Sequence, residues 1–196
     1  YKEDKSIMNL YIGFEDGKFI DGDQSILPAG YDPRQRDWYK KAKEKNSLIF
    51  TDAYVDHVTK KYIVSTTVPL KNNAGNPRGV VGVDISLDVV TEQVKSINLH
   101  GQGYGLIVDQ HGVILAHPDT KLIAKNINDV AGMKDVMKER LSKDSGSTSY
   151  LVDGESKLMI YSKIPSTGWI LAISVGEAEV YQQIASLKYA FLIITI

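Results

Sequence analysis

The chain contains no cysteine among its 196 residues, which excludes disulfides, thiolate metal sites and a cysteine nucleophile. It also carries little net charge. Lys and Arg number 23 against 24 Asp and Glu, leaving −1, so nothing points to a nucleic-acid partner or an electrostatic membrane surface. Histidine is sparse, and His57, His100, His111 and His117 have no spacing that specifies zinc. Serine and aspartate are plentiful but form no nucleophile elbow. No signal peptide opens the chain, and Tyr1-Lys-Glu-Asp4 reads as the middle of a longer protein.

Long apolar runs are lacking as well. Tyr189–Ile196 is nearly all apolar but far short of the roughly 20 residues a membrane span needs. A buried terminal helix or strand is one reading. The preferred expectation is the start of a transmembrane helix, because Glu177–Lys188 has neither Gly nor Pro and reads as one helix leading into it.

What is present is ordinary globular material, 43% hydrophobic and 24% charged, enough for one large or two small domains. Strand signals dominate. Met8–Phe14 and Lys18–Ile20 form a hairpin about Asp16-Gly17. The residues from Asp21 to Gly30 read as a loop. Asp32-Pro33 offers an N-cap and a first-turn proline for a helix to about Lys45, with Trp38 and Ala42 on one face. Tyr62–Leu70 and Arg78–Leu87 are long strands joined by a turn, and a helix follows from Leu87 to Ile97.

A second pass then begins. Tyr104–Asp109 and Val113–His117 repeat the hairpin, a helical patch lies around Asp129–Leu141, and Ser147–Val152, Lys157–Ile164 and Gly168–Val175 are strands. Gly105-Leu-Ile-Val-Asp-Gln-His-Gly-Val-Ile-Leu115 parallels Asn9–Ile20, and the later strand pair parallels Tyr62–Ile85. This repeat of about 85 to 100 residues exceeds solenoid periods. It predicts an α+β fold of two modules, each an antiparallel sheet with flanking helices. The expected division is residues 1–97, residues 98–176, and a final segment 177–196.

One stretch concentrates chemistry: Tyr31-Asp-Pro-Arg-Gln-Arg-Asp-Trp-Tyr39, followed by Tyr54-Val-Asp56 and Asp84. A guanidinium matches a carboxylate with a planar fork of donors. Carboxylates and aromatic faces suit an ammonium. Arg36, Trp38 and Tyr39 are expected in the first two helical turns, where the helix dipole favours an anion; helix core and a solvated arginine are the plainer reading. Tyr54, Asp56 and Asp52 should share one face of an extended segment. Asp84 interrupts the apolar run Gly79-Val-Val-Gly-Val-Asp-Ile, where a carboxylate is costly unless paired. Either it meets a ligand, with Gly82 leaving the room, or it forms a salt bridge to Arg36 or Arg78.

With these residues in view, nearly the whole chain resembles the double-Cache sensor domains of bacterial chemoreceptors, built from two PAS-like modules. Against that family the first membrane span and the long N-terminal helix are missing. One group binds amino acids in the membrane-distal module through Tyr, four residues, Arg, one residue, Trp-Tyr, then Tyr-x-Asp, then a later strand Asp. Tyr31, Arg36, Trp38, Tyr39, Tyr54, Asp56 and Asp84 match it without departure. The resemblance implies that Tyr31, Arg36 and Trp38 hold a carboxylate and that Tyr39, Tyr54, Asp56 and Asp84 surround an ammonium. A related amine-binding group lacks the arginine.

The resulting expectation is an extracytoplasmic amino-acid sensor of a membrane-bound methyl-accepting chemotaxis protein. It would be homodimeric in the intact receptor, with no catalytic residue, metal, cofactor or nucleic-acid partner, and an empty proximal module. The same sensor on a histidine kinase or diguanylate cyclase is an alternative, as is a Cache domain for an amine or other small molecule; a purely structural, ligand-free Cache pair is a further rival, and a hydrolase using Asp56 and Asp84 the least favoured.

Overall fold

A computed structural model describes residues 6–97, 103–130, 132–134 and 143–181. The chain folds as two compact units, with the division between Val90 and Thr91.

The first unit is built on one antiparallel sheet. Its strands are β1 (Ile7–Phe14), β2 (Phe19–Asp21), β3 (Ile49–Phe50), β4 (Tyr54–Val55), β5 (Tyr62–Lys71) and β6 (Pro77–Ser86). The order is β2-β1-β6-β5-β3, with β4 also pairing β5. Asp16-Gly17 closes the β1–β2 hairpin, and Gly17 takes the positive φ of 88° that the turn requires. Alternation along the central strands sets the buried face. Val80, Gly82, Asp84 and Ser86 of β6 lie there, beside Ile63, Ser65 and Thr67 of β5.

The segment expected as one helix from Asp32 is two pieces. Asp32 caps a 3-10 turn over Pro33–Gln35, accepting from Arg34 N. Arg36 is then extended, with φ −79° and ψ 144°, and serves as N-cap of α1 (Asp37–Lys45). Arg36 therefore precedes the helix instead of lying in its first turn. The reason is packing on β1. Pro33 and the Trp38 indole both press on Gly13, where a Cβ would stand 2.7 Å from Pro33 and 2.9 Å from Trp38. Residues five apart in one continuous helix point about 140° apart, so a break at Arg36 is needed to bring both onto one spot. α1 buries Trp38, Tyr39 and Ala42 against Tyr11 and Val80, and ends at Asn46 in the left-handed conformation.

α2 (Leu87–Lys95) spans the division between the units. The second unit repeats the plan with β7 (Gly103–Val108), β8 (Ile114–Ala116), β9 (Ser145–Val152), β10 (Glu155–Lys163) and β11 (Ile170–Gly176). These are ordered β8-β7-β11-β10-β9 and paired antiparallel throughout. In each sheet the opening hairpin stands at one edge and the last strand occupies the centre, beside the first. The sequence repeat is therefore a repeat of topology. Leu106, Val108, Met159, Ile170 and Ala172 anchor the second core.

The expected helical patch around Asp129–Leu141 begins as a 3-10 turn over Ile127–Asp129, and its remainder falls largely outside the described residues. Residues 177–181 are helical. The apolar run 189–196 lies outside the described residues, and among those described no helix is long and apolar enough to cross a membrane.

Candidate ligand-binding site

A cavity of about 60 Å³ between α1 and the buried face of the first sheet is lined by Tyr31, Arg36, Trp38, Tyr54, Asp56 and Asp84. Two wider clefts adjoin it, of about 400 and 340 Å³, and both share Arg36 and His57 with it. Neither wide cleft reaches Asp84 or Asp56. The smallest space thus gathers the most chemistry, and volume alone would mark the wrong place.

Asp84 forms the floor. It is 7% exposed and stands on β6 between Asn9 of β1 and Ser65 of β5. Ser65 Oγ donates to Asp84 Oδ1 at 2.5 Å, and the Tyr11 hydroxyl donates to the same oxygen at 2.8 Å. Asp84 makes no ion pair among the described residues, so the salt bridge to Arg36 or Arg78 does not form. Burial pushes its carboxyl up to about 6, while the Ser65 and Tyr11 hydrogen bonds pull the other way.

These hydrogen bonds have a direction. A hydroxyl has one proton, and that of Ser65 is committed to Asp84. The 2.6 Å contact between Tyr54 and Ser65 therefore has Tyr54 as donor. Tyr11 likewise spends its proton on Asp84 and Ser65. Towards the cavity both tyrosine oxygens can only accept, and with the carboxylate they make the sheet side a wall of acceptors. Burial and the nearby Asp84 charge both push the Tyr54 hydroxyl upward, so it stays protonated.

The opposite wall supplies the donor. The chain contributes two arginines here, and they differ. Arg34 is committed to Asp32 through contacts of 2.8–3.2 Å and to the Glu15 carbonyl. Arg36 is half-buried, its Nε is buried without a hydrogen-bond partner, and its guanidinium lies 6.0 Å from the centroid of the Tyr31 ring. Trp38 is 5% exposed and holds its edge-on place against Tyr11 at 4.9 Å.

Two expected positions need correction. Tyr39 does not line the cavity. Its ring packs edge-on against Trp38 at 5.5 Å and its hydroxyl donates to Glu15 at 2.8 Å, because adjacent helical residues diverge and only Trp38 faces the cavity. Gly82 leaves no room for a ligand either. The Tyr11 ring fills that space, 2.3 Å from where a Cβ would stand. Asp56 lines the cavity while also closing a turn, accepting from Thr59 N and Oγ1 at 2.6 Å each. Asp52 faces outward and pairs with Lys41 at 2.7 Å, because the strand lasts only from Tyr54 to Val55.

Sequence reasoning does not reach Asn9, Tyr11 or Ser65. Asn9 and Ser65 carry the signal that singles out Asp84, a polar side chain inside an apolar strand. Tyr11 has no such mark, and only its place across from Gly82 reveals it.

Among the described residues the second unit has no such wall. Counted back from the helix that follows each sheet, Ser174 stands where Asp84 does, flanked by Tyr104 and Met159 in place of Asn9 and Ser65. Its hydroxyl is satisfied by Tyr150 at 2.5 Å.

A family model for the Cache domain, of the dCache_1 type, matches residues 3–184. The chain belongs to the Cache domain family. Among its relatives is the methyl-accepting chemotaxis protein McpG of Pseudomonas putida, 30% identical over 97% of this Cache chain and 30% of McpG. McpB of Bacillus subtilis is 32% identical over 90% of the chain and 25% of McpB. The chain thus spans under a third of the length of these receptors.

Solved Cache structures agree. The ligand-binding domain of the Pseudomonas aeruginosa amino acid chemoreceptor PctB, in complex with L-Arg, superposes with a TM-score of 0.75 at 28% identity, covering 94% of this chain and 72% of that one. The ligand-binding domain of the Pseudomonas fluorescens chemoreceptor CtaA, in complex with L-isoleucine, gives 0.74 at 29% identity, covering 91% and 72%.

Proposed function

We propose that this Cache pair is the extracytoplasmic sensor of a methyl-accepting chemotaxis receptor and that it binds a free amino acid by its backbone groups. One observation carries the reading. An unpartnered buried donor, Arg36 Nε, shares a cavity with a wall of acceptors centred on Asp84. A donor and a carboxylate on opposite sides of one space suit a zwitterion and little else. Arg36, with Tyr31 and Trp38, takes the carboxylate; Asp84, Tyr54 and Asp56 take the ammonium. Tyr39 supports the site by holding Trp38. The named chemoreceptor relatives and the amino-acid complexes of PctB and CtaA support the same reading.

In this reading residues 1–97 form the membrane-distal, ligand-binding module and residues 98–176 the proximal one. The helix from Glu177 leads into a membrane helix of a homodimeric receptor. Binding shifts a conformational equilibrium, and no chemistry is done.

The test is a thermal-shift screen of the twenty common L-amino acids. A ligand at a hundred times its dissociation constant adds about 2.7 kcal/mol of stability. At least one amino acid should raise the melting temperature, and a flat response to all twenty contradicts the proposal.

A further inference from the structure

Two buried polar atoms without hydrogen-bond partners belong to side chains lining the small cavity. One is Arg36 Nε, already used. The other is Asn9 Oδ1. Asn9 sits on β1 directly across from Asp84, so the two side chains project from the same face as neighbours. A buried amide oxygen with nothing to accept from weakens the fold. An apolar residue at position 9 would continue the run Ile7-Met-Asn-Leu without that penalty.

We infer that Asn9 is a further ligand-contacting residue, whose amide oxygen accepts one hydrogen of the ligand ammonium beside Asp84. This rests on the amino-acid reading of the site. An ammonium has three hydrogens; Asp84, the Tyr54 oxygen and Asn9 Oδ1 take one each, while Asp56, whose Oδ2 already accepts from Thr59, acts through its charge. A carboxylate cannot take this place, because the amide oxygen and Asp84 would both repel it. Asn9 also adds an acceptor without adding charge. The cavity already holds Asp21, Asp56 and Asp84, and a fourth carboxylate would favour protonation of Asp84.

Asn9→Leu and Asn9→Ala separate a contact from a structural role, with Asp84→Asn alongside as a control on the site. The probes are the twenty common L-amino acids and their decarboxylated amines, followed by calorimetry on those that bind. Both Asn9 variants should bind amino acids and amines about tenfold more weakly, because the ammonium is common to both. Their melting temperature without ligand should hold or rise, because an unpaired acceptor is gone. Unchanged affinity with a lowered melting temperature makes Asn9 structural and overturns the inference. Weak binding by Asp84→Asn with normal binding by the Asn9 variants sinks the Asn9 contact alone. Normal binding by all three, or no binding by the unaltered protein, sinks the amino-acid site and this inference with it. One measurement needs no variant: an N-methyl amino acid, which lacks one hydrogen, should bind the unaltered protein several-fold more weakly, and equal affinity would exclude a third acceptor.

Discussion

The Ser65 hydroxyl faces Asp84 across paired strands and donates to its Oδ1 at 2.5 Å. That bond directs the Tyr54 proton. It turns Tyr54 into a donor to Ser65 and leaves the tyrosine oxygen free to accept from a ligand. Ser65→Ala should therefore act on both folding and binding. It strands the Tyr54 hydroxyl and leaves Asp84 Oδ1 with Tyr11 alone, at a cost of about 1–3 kcal/mol, measurable by urea denaturation. It also removes a contact that lowers the Asp84 pKa, so the pH dependence of binding should move upward.

That pH dependence has a definite sign. In the folded protein the Asp84 carboxyl stands at about 6, above its unfolded value of about 3.9. The folded state therefore binds the proton more tightly between these values. The stability from this group is full below about pH 4 and is lost as pH rises through about 6. Asp21 and Asp56 raise the carboxyl further, while Tyr11 and Ser65 oppose them. A ligand ammonium favours the ionised form, so affinity should climb between about pH 5 and about pH 7 by up to about tenfold in all. Calorimetry in two buffers of different ionisation enthalpy should detect proton release near pH 6. Affinity that is flat across this range would separate Asp84 from the ligand.

Gly82 offers a test of packing alone. A Cβ there meets the Tyr11 ring at 2.3 and 2.5 Å, whereas at Gly146 of the second sheet the nearest atom is the Tyr161 hydroxyl at 2.6 Å. The ring carbons of Tyr11 are wedged between Trp38 and Phe19 and cannot yield, whereas the ring carbons of Tyr161 stand back at 3.0 and 3.3 Å, so only its hydroxyl must be relieved. Gly82→Ala should cost about 1–3 kcal/mol, and Gly146→Ala clearly less. Equal melting temperatures for the two variants would refute the comparison.

The strands are legible in the sequence because alternation and turn chemistry agree along them. The Asp16-Gly17 hairpin and the Tyr62–Ser86 strand pair fall within a residue or two of their expected bounds. Asp84 is legible because a carboxylate in an apolar strand violates the pattern. The break at Arg36 is not, because Asp32-Pro33 satisfies every local rule for a helix start and only the distant contact with Gly13 demands two pieces. Tyr39 is misplaced for a different reason: it is adjacent to Trp38 on α1, and neighbours on a helix cannot both face one cavity. Gly82 misleads because the sequence shows a missing side chain but not the Tyr11 ring that fills its place.

The most direct test sets Arg36 against Asp84 using two ligands that differ only in the carboxylate. The L-amino acid selected by the screen and its decarboxylated amine are titrated by calorimetry into the unaltered protein, Arg36→Ala and Asp84→Asn. Losing one partner of a desolvated charged pair costs about 2–5 kcal/mol, roughly thirtyfold or more in affinity. Arg36→Ala should weaken the amino acid by that factor and the amine far less, whereas Asp84→Asn should weaken both. An Arg36→Ala protein that loses amine and amino acid equally would make Arg36 structural and contradict the zwitterion site.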